Sequence, residues 1–281
     1  MPDSTIPITA PESSDPDTRP PPPKPTSFLT TLVDTTHADL LLLTATFVSG
    51  LIDASAYNAW TVFAAMQTGN TMFLALGASN QPQSKPYGWL KSLVSITSFL
   101  TGSFLTYRIT HANFTPSPVS RGSLWFNFFM QGLWVVIAAS LVESGFVSGS
   151  TSTYAASAAV HKEVDFKELV PLVFLAMQFG AQIATSRILG FGEIPTTVLT
   201  SVYTDIATDP KILVGWRENV KRNRRVGGVV CMLTGGIAGG WISRSNAGLA
   251  GALWLAAGLK FIISTTWLLL PNKRTPQSGA V

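Results

Sequence analysis

One carboxylate stands by itself in a long apolar stretch: between Leu40 and Ser84 the only charged residue is Asp53, within Gly50-Leu51-Ile52-Asp53-Ala54. Downstream lies a polar island, Gln67-Thr68-Gly69-Asn70, set between Val62-Phe63-Ala64-Ala65-Met66 and Thr71-Met72-Phe73-Leu74. An aspartate at bilayer depth costs about 2.5–3.5 kcal/mol on insertion scales, so it must face the protein interior and be paired or protonated. Lys260, in Gly258-Leu259-Lys260-Phe261, is the one basic residue central to an apolar run. It is the natural partner for Asp53 unless it snorkels to an interface. Gln178, Gln182 and Thr185 follow an i, i+4, i+7 spacing that puts them on one helix face, where such groups line a pathway or bond across helices. Thr197 and Thr200, in Pro195-Thr196-Thr197-Val198-Leu199-Thr200, complete the set. The polar-pathway candidates are therefore Asp53, Gln67, Thr68, Asn70, Gln178, Gln182, Thr197, Thr200 and Lys260. This inventory suits the handling of a solute or proton. His37, His111 and His161 lie outside the apolar runs, Cys231 is single, and no His-Glu-x-x-His or Gly-x-x-x-x-Gly-Lys pattern occurs. The expectation is a protein that is not an enzyme, with no catalytic, metal or cofactor site.

The elements that must position these residues follow from the shortage of charge, 12% of 281 residues. Charge-free runs recur at Gly122–Val142, Leu169–Ser186 and Val226–Ser243, and Asn246–Leu270 is broken only by Lys260. A span needs about 20 mostly apolar residues, because the hydrocarbon core is ~30 Å thick and a helix rises ~1.5 Å per residue. The chain reads as an all-α, polytopic integral membrane bundle of six to eight apolar segments: 39–57, 60–78, 90–107, 122–142, 169–188, 194–207, 226–243 and 246–270. The second and sixth are suspect as crossings, one for its polar island and the other for its shortness, Pro195 and Asp205. Residues 60–78 are nevertheless long enough to span, and we expect them to cross. That would place the sequon Asn113-Phe114-Thr115 outside and open Asn113 to glycosylation. The net charge of +4 does not signal nucleic acid. Lys211, Arg217, Lys221, Arg222, Arg224 and Arg225 precede the seventh run, which is a topology signal that makes both termini cytoplasmic.

Nine prolines fall within the first 25 residues, so residues 1–36 read as a disordered cytoplasmic tail. The transmembrane domain is expected over 37–272, with a short cytoplasmic tail at 273–281. Thr68-Gly69-Asn70 is followed by Leu100-Thr101-Gly102-Ser103, and Thr200-Ser201 by Leu233-Thr234-Gly235-Gly236, an offset between halves of 132 to 133 residues. An internal duplication of this kind is common among transporters, where interrupted segments at matching positions point to the site. Gly235, Gly236, Gly239 and Gly240 form two overlapping Gly-xxx-Gly pairs suited to close helix packing, and they offer a surface for an oligomer.

Ser49-Gly50-Leu51-Ile52-Asp53-Ala54, Val62-Phe63 and Met66-Gln67-Thr68-Gly69-Asn70-Thr71 together resemble the signature of the YoaK-like membrane proteins, a multi-pass family of unknown function. The resemblance covers roughly residues 37–272. In the second half, Pro195–Thr200 is similar to the family's second threonine-rich segment, but Ser201 stands where glycine is expected and Ile183 where asparagine is common. The resemblance implies the fold and brings no substrate with it. The functional expectation is a small-solute transporter or permease, with the lipid bilayer and an unidentified solute as partners. The alternative is a non-transporting membrane scaffold or assembly protein that uses the same polar groups to lock helices together.

Overall fold

The computed structural model describes residues 27–81, 87–112, 117–149 and 165–273. Six helices are long: α1 (Ala38–Trp60), α3 (Gly88–Thr110), α4 (Arg121–Glu143), α5 (Leu169–Ile188), α7 (Val220–Arg244) and α8 (Gly248–Leu269). Two are short, α2 (Gln67–Ala78) and α6 (Thr200–Ala207). The long helices have 20 to 25 residues, about 30–37 Å at the helical rise, which matches the hydrocarbon core. All except α3, which carries Lys91 and several buried serines, are also apolar enough throughout to count as spans. The chain is an all-α membrane bundle with no strand among the described residues.

Contacts at the helix ends fix the direction of each crossing. At one end, Val33 bridges Asn272 and Leu32 bridges Ser120. The Arg121 guanidinium there donates to the carbonyls of Trp267, Leu268 and Leu270 and to Asn272 Oδ1. Arg224 joins Asp39 at 3.0 Å and Glu193 at 2.9 Å. This is the terminal end of the bundle. At the opposite end, Lys91 forms a buried ion pair with Glu168 and donates to the Trp60 carbonyl, while Trp60 Nε1 donates to the Ser148 carbonyl. Hence α1, α4 and α7 run from the terminal end to the opposite end, and α3, α5 and α8 run back.

The short helices do not cross. After Trp60 the chain turns through Thr61, whose φ of 57° is left-handed, and descends until the 64–66 backbone lies beside Asp53. There α2 begins, level with Ser95. It climbs back to the opposite end, where Gly77 sits against Trp89. From the terminal end the mirror course is followed: the chain leaves α5, brings the Thr196 carbonyl to Gln182, and returns along α6 to Asp205 and Asp209 beside Arg225. The expected crossing at 60–78 is thus corrected. Its apolar length was summed across a break at 61–66, and the 12 residues of α2 reach only about 18 Å.

The duplication shows in the packing. α1 crosses α7 and α3 crosses α5 at glycines: a Cβ on Gly50 or Gly235 would land on the Met232 or Phe47 carbonyl, and one on Gly102 or Gly180 on the Met177 or Phe99 carbonyl. Exchanging α1–α4 with α5–α8 maps the first crossing onto the second, with the direction of travel inverted. Gly235 and Gly239 therefore serve α1 of the same chain, while Gly240 has nothing near its Cβ position. The domain also starts earlier than expected. Residues 27–36, assigned to the tail from composition, dock: Val33 is buried, Arg121 N–H donates to the Thr31 carbonyl, and its guanidinium lies over Phe28. The rest of that tail, residues 1–26, and the C-terminal residues 274–281 lie outside the described residues.

Candidate functional site

Two polar centres occupy the interior. The first is built on the re-entrant loop 61–66. Asp53 Oδ1 accepts the Ala64 and Ala65 N–H groups at 2.8 and 2.7 Å, and Oδ2 accepts the Met66 N–H at 3.0 Å. A carboxylate at the start of a helix is favoured by both the free N–H groups and the dipole. Asn70, the single buried residue of α2, treats Phe63 as a strand partner would: Oδ1 accepts its N–H at 3.2 Å and Nδ2 donates to its carbonyl at 2.7 Å. Ser95 Oγ donates to the same carbonyl at 2.8 Å, and Gln67 Nε2 donates to the Ala64 carbonyl at 2.8 Å. Together these four side chains satisfy backbone that would otherwise be orphaned at membrane depth. Asp53 also borders an apolar recess of about 410 Å³ between α1 and α7, with Gly50, Met66, Met232, Gly236 and Ile237 in its wall.

The second centre is Lys260. Its side chain is 0% exposed, so it does not snorkel. Nor does it meet Asp53: Nζ donates to Gln131 Oε1 at 2.7 Å and to Gln182 Oε1, with the Phe128 ring centroid 5.7 Å away. Gln182 Nε2 continues to Ser49 Oγ at 2.9 Å, so one network ties α8, α4, α5 and α1. The expected Asp53–Lys260 pair fails because each group is taken up by a different set of neighbours.

The remaining candidates divide. Gln178 is fully buried, one turn before Gln182, and neither its oxygen nor its nitrogen has a partner among the described residues. Thr185 bonds only back along its own helix, to Ala181. Thr197 is buried and its N–H donates to the Pro195 carbonyl at 2.6 Å. Thr68 and Thr200 are exposed on the outer surface and reach neither centre. Ser49, Gln131 and Ser95 contribute without having been among the candidates. Gln131 lies in Phe128-Phe129-Met130-Gln131-Gly132-Leu133 and could have been found by the criterion that found Gln178. Ser95 carries no signal among the other serines of α3.

Matching halves have diverged. Anchoring Gly50 on Gly180 and Thr68 on Thr200 sets Asp53 against Ile183, Gln67 against Leu199, Asn70 against Val202 and, through Gly102 and Gly235, Ser95 against Gly228. All four side chains that hold the first loop are apolar or absent in the second. Conversely, Gln178 and Gln182 fall opposite Val48 and Ile52. Among the described residues no cluster of His, Cys, Asp and Glu is placed to hold a metal.

These features define an integral membrane protein of inverted, re-entrant halves. The family model described as Protein of unknown function (DUF1275) matches residues 41–266, and the chain belongs to that family. The assignment agrees with the YoaK-like resemblance of the Asp53 and Thr68-Gly69-Asn70 segments. No curated protein and no solved structure matches the chain.

Proposed function

We propose that this protein carries a small polar solute across the membrane. One observation carries the reading: two re-entrant segments enter from opposite ends and stop at neighbouring depths, one beside Asp53 and the other beside Gln182, which is level with Ser49. Asp53 lies about 6 Å further along α1 than Ser49 at the helical rise. Broken segments at matching positions of inverted halves are how many carriers build a mid-membrane site. Unpartnered buried amides and a buried ammonium in the same layer support it, because each orphaned polar group costs about 1–3 kcal/mol and a purely structural bundle gains nothing from them. The test is uptake into vesicles containing the purified protein, with a panel of anionic, cationic and neutral solutes chosen from metabolite profiling of cells with and without it. Uptake no faster than into protein-free vesicles, across the whole panel, would overturn the reading. The scaffold reading draws on a different observation, that the side chains of the first centre bond mainly to backbone.

We further place the terminal end in the cytoplasm. It carries Arg121, Arg187, Lys221, Arg224, Arg225 and Lys273, whereas the opposite end has Lys91, Lys167 and Arg244, which follows the positive-inside rule. Asn113 itself is outside the described residues, but its flanks are at the terminal end, since Ser120 bridges Leu32. Asn113 is therefore expected to stay unglycosylated when the chain is made on a glycosylating membrane. Tags at both termini should resist protease until cells are permeabilised. A glycan on Asn113, or tag cleavage in intact cells, would reverse the orientation.

A further inference from the structure

The Lys260 centre shows which class of solute it suits. Lys260, Gln131, Gln178 and Gln182 are each 0% exposed and Thr196 is 1% exposed. Among the described residues the ammonium's hydrogen-bond partners are amide oxygens only, and the acidic groups on the helices packed against α8 are engaged or distant. Asp39 pairs with Arg224, Asp53 holds the 64–66 backbone, and Glu143 ends α4 at the far end of the bundle. Lys260 also dictates how the amides point, since Gln131 and Gln182 must both turn an oxygen to it. The Gln182 NH2 group is then satisfied by Ser49, but that of Gln131 has no partner among the described residues.

The donors left over are the third Nζ hydrogen of Lys260, the Nε2 hydrogens of Gln131 and Gln178, and the Thr196 hydroxyl at the tip of the second re-entrant loop. Against them stand Gln178 Oε1 and the Thr196 oxygen as the acceptors left without a partner there among the described residues. When Lys260 is protonated, the layer carries surplus N–H and O–H donors and one positive charge that no carboxylate faces, which is complementary to an acceptor-rich monoanion. A cation would be repelled by that charge, a neutral solute gives it no counter-charge, and an anion that enters with a proton supplies the counter-charge that a protonated Lys260 needs in a low-dielectric interior. A divalent anion would exceed the single charge available. We infer that Lys260, Gln131, Gln178 and Thr196 form the binding site for a small monovalent oxyanion, either a carboxylate or its inorganic counterpart. The inference rests on the carrier reading for its purpose, though binding is measurable without it. Burial of all four side chains makes this the occluded arrangement, and the Thr196 loop, which reaches the layer through the Gln182–Thr196 contact of 3.5 Å, is the segment whose movement would open it toward the terminal end.

The test uses the full-length protein in detergent, with radiolabelled acetate and with nitrate quantified by ion chromatography in equilibrium dialysis, and sodium and glycerol as controls. Saturable binding of acetate, nitrate or both is expected, and whichever binds identifies the carboxylate or inorganic source. Gln178→Leu should weaken it at least about tenfold, as loss of a hydrogen bond to a charged group does. That variant should melt no lower than the wild type, because Gln178 has no hydrogen-bond partner among the described residues and the change removes an orphaned buried amide. Lys260→Met should abolish binding, and Lys260→Arg should retain part of it. Unchanged anion binding in both Gln178→Leu and Lys260→Met would overturn the site. So would wild-type protein that binds neither anion, and vesicle uptake of a neutral solute alongside that result would leave the carrier reading standing. Anion binding with the expected variant losses but no flux of any solute would support the site and sink the carrier reading.

Discussion

Asp53→Ala is expected to unfold the first re-entrant loop and to lower the stability of the whole bundle. The carboxylate is the acceptor for three consecutive backbone N–H groups, and two of them belong to Ala64 and Ala65, which are 0% and 1% exposed. An orphaned buried donor costs about 1–3 kcal/mol, so these two alone place the loss at about 2–6 kcal/mol. Asp53→Asn should fall between wild type and alanine. Its one carbonyl oxygen can still serve Ala64 and Ala65, but its NH2 group then faces the Met66 N–H, donor against donor. Asparagine removes the charge and keeps the shape of the side chain, yet the geometry makes it a structural lesion. Since Lys260 has its own partners, adding Lys260→Met to Asp53→Asn should give additive changes and no rescue. Thermal unfolding in detergent, with thiol labelling of an Ala65→Cys reporter to follow loop opening, measures both effects. An Asp53→Ala protein that melts with the wild type and keeps the reporter protected would show that the carboxylate does not hold the loop.

The sequence disclosed which residues are polar in the interior more readily than what each of them does. Asp53, Gln67 and Asn70 announce themselves because they interrupt apolar runs, and all three turn out to serve one loop. The loop itself was hidden. Hydropathy sums over residues 60–78 without seeing that Thr61 turns the chain back, and a re-entrant helix and a crossing have the same composition. The pairing of Asp53 with Lys260 was inferred from charge alone, whereas backbone donors satisfied the aspartate first and amide oxygens the lysine. Gln131 escaped because it lay in a run already accepted as a span. The docked stretch 27–36 was swept into the tail by the prolines before it, although Val33 and Phe28 are the residues that seat it against Arg121 and Asn272. The inverted relation of the halves was legible only as an offset. Its meaning came from the direction of travel, which the ion pairs and bridges at the two ends supply.

The duplication makes a second strong prediction, because it requires the same lesion to act alike in both halves. Gly180→Leu should prevent the α3–α5 crossing and Gly50→Leu the α1–α7 crossing, since in each case the new Cβ meets a backbone carbonyl of the facing helix and no flexible side chain can yield. Overpacking a core costs about 1–3 kcal/mol when side chains can adjust. Here the helices themselves must part, so the loss should exceed that range and appear as failure to give a monodisperse species in detergent. Without a hydrophobic force between helices in lipid, close backbone approach is what holds such crossings together. Gly102→Leu and Gly235→Leu, on the facing helices, should behave in the same way. Gly240→Leu is the control: it lies on α7 one residue beyond Gly239 but with nothing near its Cβ position, and it should leave expression and melting unchanged. Equivalent severity at Gly50 and Gly180 with tolerance at Gly240 is the expected result. A Gly180→Leu protein as well behaved as Gly240→Leu would mean that α3 and α5 do not cross at this point, and the correspondence between the halves, with the loss of the Asp53 equivalent at Ile183, would fall with it.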